Sequence, residues 1–451
     1  MDLPESKSEA GVEAIAEPLS FRRVLKLRDL IFYGIIIIQP TAPMPVFGVV
    51  SQEARGHVVT AVLIAMVAML FTAVSYGRMA QAFPSAGSAY SYVGAAFHPG
   101  LGFLAGWSII LDYLLNPVIC TVWCSKAAQN FLPGVPYWVL ALFFAALFTW
   151  LNLRGIETSA EVNRWMTIGM SVVIVLFLGT VVYYLMHQSG LTGASFSRPF
   201  YDPKTFSFPL LSAGTAIAVL TYIGFDSVST LSEEVENPRR NVLLATVLTC
   251  LITGVLASVE VYAAQLVWPD WQHYPDVDTA FVFVAGRAGG AWLFAVVNLT
   301  LLIATVGSGF GSQLAAARLL YSMGRDNVIP RRFFGVLDAT SRIPRNNVLL
   351  SGLLAVIGSL SLSYETGAEL LNFGAFIAFM GVNLAAFNHY CLRLGDRRWS
   401  AWFPPLAGFG VCLFIWLHLS VRAKTAGAIW LAAGIAYGAV RGNFRRAAPA
   451  T

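Results

Sequence analysis

The chain is dominated by apolar stretches, each long enough to cross a bilayer, and they constrain its fold more than any single motif does. A membrane-crossing helix needs about 20 mainly apolar residues, and on that rule the sequence supplies about twelve spans. They cover 29–50, 58–82, 99–128, 136–153, 160–186, 208–232, 241–268, 281–320, 346–363, 369–391, 402–420 and 425–441. Charged residues make up 12% of the chain, about half the share found in soluble domains. Backbone groups in lipid must be satisfied within their own element, so the spans are predicted to be helices and the fold an all-α integral membrane bundle. Short interfacial helices are predicted over 86–97 and 325–337, and span 8 reads as one long tilted helix.

Lysine and arginine set the orientation. With the N-terminus in the cytoplasm, the inner segments hold Arg78, Arg154, Arg239, Arg240, Arg325, Arg331, Arg332, Arg393 and Arg441, among others. The outer segments hold little beyond Arg55, Arg198, Lys204, Arg422 and Lys424. This positive-inside asymmetry predicts a multi-pass protein of the cytoplasmic (inner) membrane with both termini cytoplasmic. The formal charge of +5 is dispersed and implies no nucleic-acid partner. Cys120 and Cys124, four apart on one helical face, read as packing residues, and no metal site is expected.

Two spans are interrupted. Span 1 reads YGIIIIQPTAPMPVFGVVS, and its Pro40, Pro43 and Pro45 cannot sit in a continuous helix, because each lacks a donor and clashes with the preceding turn. Span 6 runs into YIGFDSVSTLSEEVENPRR, where Gly224 permits unwinding and Asp226 lies too deep to face lipid without a functional or pairing reason. Breaks five spans apart point to two inverted five-helix repeats with a substrate site near the midplane. Unwinding is predicted near Gln39–Pro43 and Ile223–Asp226, with the two breaks facing each other. The chain divides accordingly into a cytoplasmic tail (1–28), a core (29–391, with repeats over about 29–186 and 208–391) and a closing segment with spans 11 and 12 (392–451).

These residues resemble the amino acid–polyamine–organocation superfamily of transporters. The matching stretches are AFPSAGSAYSYV after span 2, GFLAGWSIILDYLL in span 3, LNLRGIETSAEVN between spans 4 and 5, the span-6 sequence, and ARLLYSMGRDNVIP after span 8. Within the superfamily the chain is most similar to bacterial putrescine importers, through PVFGVVS, GFDSVSTLSEE and LLNFGAFIAFMGVNLAAFNHY. The resemblance implies a LeuT-type fold, uptake by alternating access, and a site between spans 1, 3, 6, 8 and 10. One departure bears on the substrate. Amino-acid carriers of the superfamily usually have a Gly-Ser-Gly-like run in the first break, whose amides grip a carboxylate. Here Gln39 to Pro45 contain three prolines without amide hydrogens. A diamine needs no such donors, so a small cationic amine such as putrescine is favoured, with a cationic or neutral amino acid as the alternative. A channel or receptor is a remote alternative, since no filter-forming repeat is present. No phosphate loop or histidine cluster supports an enzyme.

A cation is held by carboxylates, carbonyls or aromatic faces. The candidate substrate-binding residues are Gln39, Pro40, Thr41 and Ala42 in the first break and Asp112 and Tyr113 in span 3. Tyr222, Gly224, Phe225 and Asp226 surround the second break, and Glu233 lies at its inner end. Asp112 either meets the cation or bonds a neighbouring helix. Asp226 either meets it or caps the half-helix that follows, through the amides of Val228 or Ser229. The resemblance places Glu233 at a position implicated in polyamine recognition, although pairing with Arg239 or Arg240 is the other reading. No cofactor is expected beyond a coupling ion, H+ or Na+, for which Asp112, Glu260, Ser308 and Ser312 are the candidates. Some relatives replace sodium with a lysine of span 5, where this chain has Met170.

Overall fold

The structure is a computed structural model that describes residues 25–83, 88–154, 160–189, 192–230, 232, 235–325, 327–338 and 343–442, the side chains of 160–164, 227, 230 and 322 excepted. Glu233 lies outside the described residues. Span 1 is a pair of helices, α1 (Leu27–Ile38) and α2 (Pro43–Glu53), bent by 55°. Spans 2 to 5 follow as α3 (Val58–Ala82), the short α4 (Ser88–Ala96), α5 (Pro99–Gln129), α6 (Tyr137–Leu153) and α7 (Ala160–His187). After the small α8 (Gly193–Ser197), span 6 comprises α9 (Phe208–Ala218), a 3-10 turn (Val219–Tyr222) and α10 (Ser227–Thr230). The chain then forms α11 (Pro238–Val267), α12 (Ala280–Arg325), α13 (Arg331–Phe334), α14 (Arg345–Ser361), α15 (Tyr364–Phe387), α16 (Trp399–Leu417) and α17 (Val421–Val440).

Among the described residues, eight helices are long and apolar enough to cross a bilayer, and the bent α1–α2 pair makes nine. The shorter α6, α14 and α9 with its 3-10 turn stand at the remaining predicted crossings. Packing relates the first crossings to later ones. Helix α2 lies on α9, α3 on α11, α5 on α12 and α6 on α14, so each touches the crossing five places further along. That is the relation inverted repeats produce.

Two expectations need correction. Span 8 is not one continuous helix, because Gly290 adopts φ 77° and ψ −168°, a conformation that only a residue without Cβ takes readily. The predicted interfacial helix over 325–337 shrinks to the single turn α13. Pro330 starts that turn, and Gly335 ends it against Gly324, where an added Cβ on Gly324 would lie 2.5 Å from the Gly335 nitrogen.

Near the end of α5, Lys126 pairs with Asp276 of the loop before α12 at 3.9 Å. Burial, reinforced by Asp276 and opposed by Lys126, pushes the neighbouring Asp278 carboxyl up to about 6. Between the ordinary carboxylate range and pH 6 the folded protein therefore holds a proton that the unfolded chain releases, and stability falls as pH rises through that window. Asp278→Asn is expected to abolish this fall and to be more stable than wild type above pH 6, by about 1–3 kcal/mol. Thermal unfolding of both proteins from pH 4.5 to 8 checks it; parallel profiles would remove the role assigned to Asp278.

Candidate functional site

The first break is poor in donors and rich in acceptors. Helix α1 stops at Gln39 (φ 68°), whose amide closes on the Ile35 carbonyl. The carbonyls of Ile36, Ile37 and Ile38 then have no following amide to receive, since the next turn begins with Pro40 and the Ala42 amide goes to Gln39 at 3.1 Å. The start of α2 is the reverse of an anion site. Pro43 and Pro45 carry no amide hydrogen, and the Met44 amide is bonded to the Thr41 carbonyl at 3.1 Å. Of positions 40 to 45, only Thr41 keeps an amide not bonded to the main chain. Side chains fix the break in place: Gln39 donates to the Ala304 carbonyl of α12 at 2.9 Å, and the Thr41 hydroxyl meets the Met170 sulfur of α7 at 3.4 Å. Met170 thus faces the break.

The second break opens after the 3-10 turn. Ile223 is extended (ψ 131°) and Gly224 takes φ 113°, so a side chain at 224 is strained wherever it points. An added Cβ would also meet Ile37 Cγ2 at 2.7 Å and Ile38 Cγ1 at 3.6 Å. The two breaks therefore face each other, as the sequence predicts. The amides of Val228 and Ser229 donate to the main-chain carbonyls of Phe225 (3.3 Å) and Asp226 (2.9 Å), so the main chain itself closes this turn. Among the described residues, no backbone amide donates to the Ile223 or Gly224 carbonyls. Unmatched carbonyls at helix ends carry partial negative charge, which suits a cation.

Beside the breaks lies a cluster of acids and tyrosines. Asp112 on α5 and Asp226 are each 6% exposed and within electrostatic range of one another, and both lie within that range of Tyr76 and Tyr113. Phe225 packs its ring 5.5 Å from Tyr76 and 5.4 Å from Phe379 of α15, and Tyr76 lies 6.1 Å from Tyr92 of α4. The Tyr76 and Tyr92 hydroxyls are buried without a hydrogen bond of normal geometry among the described residues, although Tyr92 lies close to Ser229 and Ser232. Tyr76, Tyr92 and Phe379 are absent from the sequence-derived set. Tyr92 was within reach, standing in the AFPSAGSAYSYV stretch.

Other candidates separate from this cluster. Tyr222 is fully buried and donates its hydroxyl to the Val62 carbonyl of α3 at 2.9 Å, which places it in the scaffold. The Ser312 hydroxyl donates to the Ser308 carbonyl one turn back, at 2.8 Å. Glu260 of α11 is 0% exposed, and neither carboxyl oxygen has a hydrogen-bond partner among the described residues. Neither Asp112 nor Asp226 is among the groups acting on it, so Glu260 is a buried acid separate from the Asp112–Asp226 pair.

A helical membrane bundle with two facing breaks, open carbonyls and buried carboxyls has the make-up of a carrier for small molecules. Sequence comparison assigns the family: the profile of the amino acid permeases matches residues 30–436, and the chain belongs to that family, as a transporter and not an enzyme. Its relatives include a low-affinity putrescine importer of Escherichia coli, 33% identical over 443 residues and 96% of both chains. A branched-chain amino acid permease of Lactococcus lactis is 26% identical over 94% of this chain and 96% of its own. A methylthioribose transporter of Bacillus subtilis is 24% identical over 94% of both.

Proposed function

We propose that the protein imports a small diamine such as putrescine across the cytoplasmic membrane by alternating access, with both termini in the cytoplasm. The observation that carries this reading is the donor-poor first break, where prolines and main-chain bonds leave one amide while three carbonyls stay open. A carboxylate would find little to hold it there, whereas an ammonium would find acceptors. Asp112 and Asp226 supply the charge that a second ammonium needs. The E. coli relative, a putrescine importer, points the same way.

A neutral amino acid is the rival reading, favoured by the Thr41 amide and by the branched-chain permease among the relatives. Uptake of labelled putrescine, lysine, arginine and leucine into proteoliposomes separates the two. Saturable putrescine uptake that is accelerated by unlabelled internal putrescine is the expected result. Saturable leucine or arginine uptake with none of putrescine would falsify the diamine assignment.

A further inference from the structure

We infer that the groove between α13 and the end of α17 binds the headgroup of an anionic phospholipid. The groove has a volume of about 590 Å³, and Arg331, Arg332 and Arg441 line it together with Pro330 and Val336. None of the three guanidinium groups has a carboxylate within ion-pair distance among the described residues. Three cations around one concavity, unneutralised among the described residues, call for a multiply charged or multidentate anion, and phosphate esters match the guanidinium fork.

The backbone that carries Arg331 and Arg332 is fixed, and so is the Arg441 side chain. Asn347 of α14 donates to the Phe334 carbonyl at 3.0 Å and to Ala317 of α12 at 3.1 Å, while Asn346 donates to Phe333 at 3.2 Å. Arg441 donates its Nε to the Tyr437 hydroxyl at 3.1 Å, and Tyr437 stacks on Trp107 of α5. The terminal nitrogens of Arg441 are left for a ligand.

An apolar rim identifies the kind of phosphate ester. Val440 is 87% exposed on the last turn of α17, and Phe333 and Val336 are exposed beside the arginines. A soluble phosphate has no use for such a rim, whereas acyl chains leaving a bound headgroup would cover it. Basic pockets beside membrane helices suit anionic headgroups in this way. Residues 443–451 hold Arg445 and Arg446 and no Asp or Glu side chain. Residues 1–24 contain Glu5, Glu9, Glu13 and Glu17 and are the chain's own rival occupant.

The test is thermal stability of purified, delipidated full-length protein titrated with phosphatidylglycerol, phosphatidylcholine or inorganic phosphate. Phosphatidylglycerol alone is expected to stabilise wild type. In Arg331→Gln/Arg332→Gln/Arg441→Gln its apparent affinity should fall about tenfold or more. The charge-matched control Arg239→Gln/Arg240→Gln/Arg397→Gln should respond as wild type does. An equal loss in that control, equal stabilisation by inorganic phosphate, or no lipid effect on wild type overturns the proposal. So does a gain in lipid affinity when Glu5, Glu9, Glu13 and Glu17 are changed to Gln in the full chain and the arginine triple loses its effect there. If the arginine triple does not fold, photoactivatable phosphatidylglycerol on wild type decides: crosslinks at 327–336 and 437–442 support the site, and their absence sinks it.

Discussion

Asp112→Asn is expected to weaken putrescine binding about ten- to a hundredfold, the usual effect of losing a charge-assisted hydrogen bond worth roughly 1.5–3 kcal/mol. The open carbonyls of the two breaks would hold one ammonium, and the Asp112–Asp226 pair the other. The asparagine keeps the shape of the side chain and half of its acceptors, so packing is preserved. A monoamine, held at the carbonyl end alone, should bind the variant and wild type almost equally. The ligand-free protein should become more stable, because two buried carboxyls within electrostatic range no longer share the site. Titration calorimetry with putrescine and butylamine measures both effects. An equal loss for the two amines would mean that Asp112 holds the helices together rather than the second charge. An unchanged putrescine affinity would remove it from the site altogether.

The breaks were legible in the sequence because their causes are covalent. Three prolines and a glycine at a needed positive φ act within a few residues of themselves, and no tertiary contact rescues a helix there. Gly290 shows the limit of this: span 8 reads as one tilted helix, because glycines in an apolar run mark where a helix can bend and not whether it does. The aromatic cluster is different in kind. Tyr76, Tyr92 and Phe379 come from α3, α4 and α15, and only the packing of those helices around Phe225 brings them together. Residue type alone misplaced Tyr222. It stands three positions before Phe225, yet the turn sends it toward the α3 backbone and Phe225 into the tyrosine cluster. Side-chain direction at an unwound segment depends on dihedral angles that periodicity does not encode, since the segment has no period.

Glu260→Gln is expected to retain putrescine exchange while losing accumulation driven by a pH gradient, by about tenfold or more if one proton moves with each substrate across a gradient of one pH unit. A carboxylate buried without a partner costs several kcal/mol in ionised form. The neutral acid costs about 1–3 kcal/mol for its unmet hydrogen bonds, so this closed environment accepts the protonated side chain far better. A proton can leave only when α11 and its neighbours expose residue 260, which lies about 10 Å from the end of α11. A group whose proton affinity depends on conformation is coupled to that conformation by linkage, and alternating access supplies the conformations. Glutamine matches the neutral acid in size and does not titrate, so binding and exchange persist while coupling fails. Glu260→Leu separates this from a packing role, since it should behave like glutamine in transport and raise thermal stability. Proteoliposomes with an imposed pH gradient, assayed beside equal-concentration exchange, measure the split. Full gradient-driven accumulation by Glu260→Gln would exclude Glu260 as the proton carrier and move attention to the Ser308–Ser312 turn and sodium. Loss of exchange and accumulation together would make the residue structural.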